Sequence, residues 1–186
     1  MSEHMALENL TVLDLTRVLA GPFCTMMLAD MGANVIKIEV PKGGDDTRSY
    51  PPFRAKNLNG ERESVYFANI NRNKKGITLN LKAPEGKEIF KELVKKADIV
   101  VENYRPGVMD KLGLGYDVLK EINPRIIYAA VSGFGCYGPY HLRPGYDILA
   151  QAMGGMMSIT GSKGGEPTSA GSALGDILGG LHVTIG

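Results

Sequence analysis

Short apolar runs alternate along the chain with stretches in which apolar residues recur every three or four positions, and this alternation predicts parallel strands joined by helices. The strand-like runs lie at residues 10–15, 34–39, 77–81, 98–102 and 126–132. The helix-like stretches lie at residues 22–28, 84–97, 116–122 and 173–185. Together they predict an α/β fold, a Rossmann-like doubly wound and mainly parallel sheet with helices on both faces.

The length of 186 residues is that of one ordinary domain. We expect residues 10–186 to form this domain, and residues 1–9 to be an N-terminal lead-in or a remnant of cloning. Residues 41–59 combine glycine, proline and charge without any period, which predicts a long exposed loop. No apolar run reaches the ~20 residues that cross a bilayer. The two cysteines lack metal or disulfide spacing, so we expect a cytoplasmic protein.

The charge distribution favours an anionic small molecule as the ligand. The net charge is only +1, but residues 37–111 hold 16 Lys and Arg against 11 Asp and Glu, whereas the rest of the chain holds 5 against 9. A domain that binds nucleic acid is usually basic overall, with its cations clustered in a stripe. We therefore expect no nucleic-acid partner and no membrane partner, and a local positive region that suits phosphates.

The familiar catalytic motifs are missing from the sequence. There are three histidines, no HExxH, paired CxxC or Walker motif, and no glycine triplet after the first strand that would indicate NAD binding. We accordingly expect no metal. The remaining candidate is Asp176, a carboxylate among small residues at the start of the last predicted helix. Taken alone, Asp176 is interpreted as a helix N-cap.

The motifs taken together resemble the family III CoA-transferases, which include the formyl-CoA:oxalate and carnitine CoA-transferases. Each motif is short, but their order and spacing match the family over nearly the whole chain. The matching stretches are residues 12–16 with 20–22, 32–39, 71–81, 84–86, 97–107, 123–125, 132–135 with 138–139, 145–147 and 171–176. The resemblance implies that the family's small second domain is absent from this chain.

The family resemblance implies a transfer of CoA from an acyl-CoA donor to an acceptor carboxylic acid. It implies that Asp176 is the nucleophile, with an anhydride and an aspartyl-CoA thioester as intermediates. Coenzyme A and acyl-CoA are then substrates, and the full-length protein is an interlocked homodimer. By position, the residues expected to contact CoA are Val18, Ala20, Leu79, Lys82, Asn103, Tyr104, Arg105, Lys111 and Tyr146.

Two other functions remain open at this point. The same family contains α-methylacyl-CoA racemases, which use a histidine and an aspartate, but Tyr146 occupies the position of that histidine. A phenol with an ordinary pKa near 10 is a poor base at neutral pH. The chain is also consistent with a CoA-binding fragment that does not catalyse transfer.

Overall fold

Five parallel strands form the central sheet of the computed structural model, which describes residues 4–54, 60 and 62–186. The sheet order is β3-β2-β1-β4-β5, and each neighbouring pair is parallel. The strands are β1 (Thr11–Asp14), β2 (Asn34–Glu39), β3 (Lys75–Thr78), β4 (Ile99–Glu102) and β5 (Ile127–Ala130). The predicted doubly wound α/β fold is confirmed.

Seven α-helices surround the sheet in the described part of the chain. They are α1 (Ala20–Asp30), α2 (Val65–Ile70), α3 (Pro84–Val94), α4 (Val108–Leu112), α5 (Tyr116–Ile122), α6 (Asp147–Met153) and α7 (Leu174–Ile185). The bounds of α5 and β2 agree with the sequence pattern, and α3 ends three residues earlier than the pattern predicts.

Two hydrophobic clusters cover opposite faces of the sheet, because successive side chains of a strand point to opposite faces. Leu13 and Val100 join Phe90 of α3 and Leu119 of α5 in one cluster. The neighbouring residues Val12 and Val101 join the other cluster with Cys24, Leu28 and Ala29 of α1, and Val183 of α7 packs against it. Burial on both faces explains why β1 and β4 read as continuous apolar runs.

The predicted exposed loop at residues 41–59 is partly wrong. A 3₁₀ helix at Asp46–Ser49 interrupts the segment, and Asp45 and Thr47 are buried. The Asp45 carboxylate accepts hydrogen bonds from the backbone N–H and the hydroxyl of Thr47, so it caps this helix. Residues 55–59 of the predicted loop lie outside the described residues. Polar residues therefore build a short element here that apolar periodicity could not reveal.

The pattern also misplaces one strand. β3 lies at Lys75–Thr78, two residues before the predicted start at residue 77, and its residues are exposed at one edge of the sheet. At the N-terminus, Leu7 packs against the cluster that contains Val12, and its N–H donates to the Met31 carbonyl at 3.0 Å. Among the described residues, no helix is long and apolar enough to cross a membrane.

Candidate active site

A cavity of about 820 Å³ opens at the carboxyl end of the sheet. Its walls include the segments that follow β1, β4 and β5, represented by Val18, Tyr104 and Ser132. β1 and β4 are neighbours, yet the chain leaves them toward opposite edges of the sheet. Ligands of doubly wound sheets bind at such a reversal of strand order. The position and volume of the cavity are therefore those of a small-molecule site.

A side-chain clamp fixes the turn between β1 and α1 at this cavity. The Asn103 side chain donates from Nδ2 to the Arg17 carbonyl at 2.7 Å, and its Oδ1 accepts from the Arg17 N–H at 2.8 Å. The next residue, Val18, has a φ of 66°, in the left-handed region that β-branched residues rarely adopt. The Val18 N–H donates to Asp45 Oδ1 at 3.3 Å. Both hydrogen-bonding groups of the Asn103 amide thus bind protein backbone.

Buried ion pairs support this turn from below. Lys37 of β2 is 2% exposed, and its Nζ donates to Asp45 Oδ2 at 3.0 Å and to the Thr16 carbonyl at 2.9 Å. Lys74 Nζ donates to Asp14 Oδ2 at 3.0 Å, and Thr25 Oγ1 donates to the same oxygen at 2.7 Å. Buried charges are tolerated when they are paired and hydrogen-bonded in this way.

The pKa values of these groups reflect burial and pairing. Burial alone would raise the pKa of Asp14, but the charges of Lys74 and Lys37 outweigh burial, so the pKa is lowered. For Lys74, burial lowers the pKa to about 8, because the favourable charge of Asp14 only partly offsets the loss of water. Asp45 and Lys37 of this network form hydrogen bonds with the backbone of the turn that carries Val18, and these hold the turn in place.

Asp176 lies at the third position of α7 and lines the cavity. Ala173 occupies the N-cap position, so the interpretation of Asp176 as the cap is wrong. Instead, the second and third amides of α7, those of Gly175 and Asp176, donate to the Asp147 carboxylate. Within the described residues, no hydrogen bond or ion pair engages the Asp176 carboxylate. Burial raises its pKa, and the negative charge of Asp147 raises it further.

Three arginines and an aspartate give the rest of the cavity wall its charge. Arg17 pairs with Asp46 at 2.6 Å, and both side chains are about half exposed. The guanidinium of Arg143 lies over the Tyr140 ring at 4.1 Å from its centroid. Arg105 and Arg143 form no ion pair with the described residues. Two cations without a carboxylate partner are therefore available to an anionic ligand at this cavity.

The cavity brings together seven of the ten residues predicted from the sequence. The seven that line it are Asp176, Val18, Ala20, Asn103, Tyr104, Arg105 and Tyr146. The other three lie outside its wall. Leu79 packs against the core, Lys82 is exposed near the start of α3, and Lys111 is exposed on α4. Their expected contacts with CoA remain predictions.

Two further residues at the site escape sequence reasoning. Ser132 lines the cavity, and its Oγ is the one buried side-chain oxygen or nitrogen in the described chain without a hydrogen-bond partner. Burial raises the pKa of Tyr66 on α2, and the charge of Asp176 raises it further. Ser132 begins one of the stretches that match the family, but the match assigns it no role, and α2 is too short for its faces to be read from periodicity. Among the described residues, no group of three or more His, Cys, Asp and Glu side chains is arranged to hold a metal.

The model of CoA-transferase family III matches residues 7–186. The chain belongs to this family. An acyl-CoA transferase of Fusarium pseudograminearum is 52% identical, over 98% of this chain and 41% of the relative. The succinyl-CoA:glutarate CoA-transferase of Homo sapiens is 49% identical, over 98% of this chain and 40% of the relative. The crystal structure of a CAIB/BAIF family protein from Brucella suis matches with a TM-score of 0.93 at 46% identity, over 98% of this chain and 48% of that one. The chain thus spans less than half the length of these family members.

Proposed function

We propose that the protein is a CoA-transferase that moves CoA from an acyl-CoA donor to an acceptor carboxylic acid, with Asp176 as the nucleophile. The observation that carries this proposal is the Asp176 carboxylate, which lines the 820 Å³ cavity and accepts no hydrogen bond from the described residues. A carboxylate that is poorly solvated is more reactive toward a carbonyl carbon than one in water. Membership of family III supports the reaction class.

The proposed reaction needs no co-reactant beyond the two substrates. Asp176 attacks the thioester carbonyl, the C–S bond breaks, and CoA leaves as a thiolate, which gives a mixed anhydride. The thiolate then attacks the Asp176 carbonyl carbon, releases the donor acid and forms the aspartyl-CoA thioester. The acceptor carboxylate attacks this thioester and the thiolate leaves again. Attack of the thiolate on the acceptor carbonyl finally gives the new acyl-CoA and restores Asp176.

The arginines of the cavity suit the phosphates of CoA. Arg105 follows β4 and lacks an ion-pair partner among the described residues, so it can bind a phosphate without breaking an existing pair. Lys82 and Lys111 are exposed, and we propose that they contact parts of CoA that extend beyond the cavity. Val18 and Ala20 present a largely apolar wall, which suits the pantetheine arm.

The substrates we propose for a first trial are succinyl-CoA as donor and a dicarboxylic acid as acceptor. This choice is supported by the relative named succinyl-CoA:glutarate CoA-transferase. The unpaired Arg143 in the cavity wall supports an acceptor with a second carboxylate.

The decisive experiment compares the full-length protein with its Asp176→Ala variant, using labelled succinyl-CoA and free dicarboxylic acids. We expect exchange of CoA to fall at least about a hundredfold, since the nucleophile is lost, while binding of CoA is retained. Asp117→Ala, an exposed aspartate in the first turn of α5, is the matched control. Mass mapping of the wild-type protein quenched during turnover is expected to find the adduct on Asp176.

Exchange that persists in Asp176→Ala would overturn the nucleophile assignment. Washout of the proton next to the thioester carbonyl, without exchange of CoA, would instead indicate a racemase. Binding of CoA by the wild-type protein with neither reaction would indicate a binding module.

We also propose that the full-length protein is a homodimer. The support is a set of large apolar side chains left exposed between β5 and α7, including Tyr137, Leu142 and Ile159, which are 87%, 70% and 86% exposed. Exposed apolar surface becomes an interaction surface where such side chains form a contiguous patch. Light scattering of the full-length protein at several concentrations is expected to give twice the chain mass, and a monomer throughout would contradict the proposal.

A further inference from the structure

The start of α7 is held by a neighbouring helix. Asp147, the first residue of α6, accepts the Gly175 N–H at 2.7 Å and the Asp176 N–H at 3.4 Å on its Oδ1. These amides belong to the group of N–H donors that a helix leaves without a partner at its N-terminus. The N-cap residue Ala173 has no side-chain acceptor for them. Asp147 therefore caps α7 from outside.

Gly175 makes this approach possible. A Cβ at position 175 would lie 2.7 Å from the Ala150 Cβ and 3.2 Å from Asp147 Oδ1. Real Cβ atoms essentially never lie within 3.0 Å of another atom, as this one would to Ala150, so a larger residue would push α6 and its carboxylate away from α7. The glycine before Asp176 thus has a specific role at the site.

Gln151 fixes Asp147 in turn. Its Nε2 donates to Asp147 Oδ2 at 2.7 Å and to the Ser172 carbonyl at 3.2 Å, and its Oε1 accepts the Ala170 N–H at 2.8 Å. Gln151 is only 2% exposed. A buried amide with partners for both its oxygen and its nitrogen orients its neighbours firmly. One glutamine therefore joins α6 to the segment that leads into α7.

The Asp176 carboxylate is left available by this arrangement. An aspartate in the first turn of a helix commonly binds the free amides of that turn, which lowers its pKa and its reactivity. Here two of those amides donate to Asp147 instead. Burial raises the pKa of Asp176, and the negative charge of Asp147 raises it further. A more basic carboxylate is a better nucleophile, provided that it is ionised at the working pH.

The other titratable and charged groups of the cavity wall and of α1, α2 and α7 do not replace Asp147 in this role. Tyr66 is on α2, Cys24 is the buried thiol of α1, and His182 is further along α7 itself. The charged residues of the cavity wall are Arg17, Asp46, Arg105 and Arg143. Among all of these groups, only Asp147 contributes to the raised pKa of Asp176.

We propose that Asp147 is a positioning residue for the nucleophile: held in place by Gln151, it accepts the Gly175 and Asp176 amides of α7, so that the Asp176 carboxylate faces the cavity unbonded and close to a second negative charge. This inference rests on the proposed role of Asp176 in transfer. It adds a residue that acts through another and touches no substrate.

The test separates the charge of Asp147 from its position in the full-length protein. Asp147→Asn removes the charge and keeps a side chain of the same shape with one oxygen for the α7 amides, although it loses the acceptor for Gln151 Nε2. We expect the acid limb of kcat to move to lower pH and kcat to fall about threefold to tenfold, since about 1 kcal/mol of transition-state stabilisation is lost, with KM for the acyl-CoA unchanged. Asp147→Glu keeps the charge on a longer side chain, so the acid limb stays in place while kcat falls. Asp117→Asn, on the exposed face of α5, is the control and should match the wild type.

A measurement on the wild-type protein needs no variant. The pH dependence of carbodiimide labelling, read by mass mapping, reports the ionisation of each carboxylate. We expect the midpoint for Asp176 to lie above about 3.9, the ordinary pKa of an aspartate. A midpoint at or below that value, or an Asp147→Asn profile that superimposes on the wild type, would overturn the proposal. If Asp176→Ala still catalyses exchange, the proposed function has failed; if only the Asp147 variants behave as wild type, the positioning role alone has failed.

Discussion

Val18 is the most strained residue described at the site. Its φ of 66° places a β-branched side chain in the left-handed region, and Asn73, the other non-glycine residue there, is of a type that tolerates that region. Such conformations cost about 1–3 kcal/mol and persist where neighbouring contacts enforce them. The Asn103 clamp on Arg17 and the Asp45 carboxylate supply those contacts. The left-handed conformation of Val18 thus lowers the stability of the protein, but it shapes the part of the cavity wall that we propose for pantetheine.

Val18→Gly is expected to raise the free energy of unfolding by about 1 kcal/mol, because glycine adopts a positive φ without a steric cost. Val18→Ala keeps the steric cost and loses apolar contacts, so it is expected to lower the free energy of unfolding or leave it unchanged. Urea unfolding of both variants makes the comparison. A Val18→Gly protein that is less stable than Val18→Ala would contradict the assignment of strain.

Asp176→Asn is expected to raise the melting temperature at pH 7 while it abolishes CoA exchange. The pKa of Asp176 is raised in the folded protein, so the folded state binds its proton more tightly than the unfolded state does. The free energy of unfolding therefore falls as the pH rises from the ordinary pKa of an aspartate through the raised pKa of Asp176. The full cost of the partly buried charge is present at neutral pH, and the uncharged asparagine side chain removes it. Scanning calorimetry at pH 7 and near pH 4 should show a gain that shrinks in acid, and an equal or reversed effect at the two pH values would refute this account.

Helices α1 and α7 meet at a very short distance, and this contact decides where Asp176 lies. A Cβ at Gly180 would lie 2.4 Å from the Ala20 carbonyl oxygen of α1. Gly179, its neighbour on α7, faces open space. Position 180 therefore requires glycine, whereas position 179 has room for a side chain, although the two glycines are adjacent in the sequence.

Gly180→Ala is expected to lower the free energy of unfolding by about 1–3 kcal/mol, the usual cost of overpacking. The matched variant Gly179→Ala is expected to raise it by up to about 1 kcal/mol, since alanine favours the helix and nothing obstructs it. Denaturant unfolding of the pair measures the difference directly. Similar values for the two variants would mean that α7 does not depend on this contact with α1.

Element positions could largely be predicted from the sequence, because apolar periodicity reports burial. The bounds of β2 and α5 agree with the pattern, although the polar residues Lys37 and Glu39 of β2 are buried. The pattern misplaces β3, because this strand lies exposed at the sheet edge, where no burial pattern exists. The 3₁₀ helix after Asp45 was missed because polar contacts, and no apolar face, hold it in place.

The candidate site was accessible to sequence reasoning only in part. Asp176 was identified through a family motif, and its role stays a prediction. The cap on α7 could not be predicted, because it comes from Asp147, 29 residues earlier in the chain. Gln151 reads as an ordinary polar residue on a short helix, and only the fold reveals that it is buried and fully bonded.

Across the whole molecule, stability depends on buried charges next to the cavity. Lys74 and Asp14 are almost completely inaccessible to water and pair at 3.0 Å. Breaking a buried pair by removing one partner leaves an uncompensated charge. The ion pairs therefore link the stability of the domain to the geometry of its ligand site.

Lys74→Met is expected to lower the free energy of unfolding by about 3–5 kcal/mol, because Asp14 loses its closest cation. Lys75→Met is the matched control: Lys75 is exposed and bonds only to Asn34 Oδ1 among the described residues, so a change below about 0.5 kcal/mol is expected. Guanidinium unfolding at pH 7 measures both. Comparable losses in the two variants would show that the buried pair has no special importance.

The same network sets the acid sensitivity of the protein. The pKa values of Asp14, Asp45 and Glu39 are lowered, since their cation and hydrogen-bond partners outweigh burial. The unfolded state then binds more protons, so the stability from these groups is complete above their ordinary pKa values and is lost as the pH falls through the lowered ones. Circular dichroism during acid titration should show this loss, with a midpoint at higher pH in Lys74→Met. An unshifted midpoint would show that protonation of Asp14 does not contribute to acid unfolding.

The contact between the first and the last helix also orders events during synthesis on the ribosome. The clamp between Arg17 and Asn103 can close once β4 has emerged, so the floor of the cavity can form early. Asp176, by contrast, has no fixed place until α7 is complete and rests against Ala20. A nascent chain would thus hold part of the cavity floor before it holds a correctly oriented Asp176, and by the proposed mechanism it would be unable to trap an acyl group on the unfinished polypeptide.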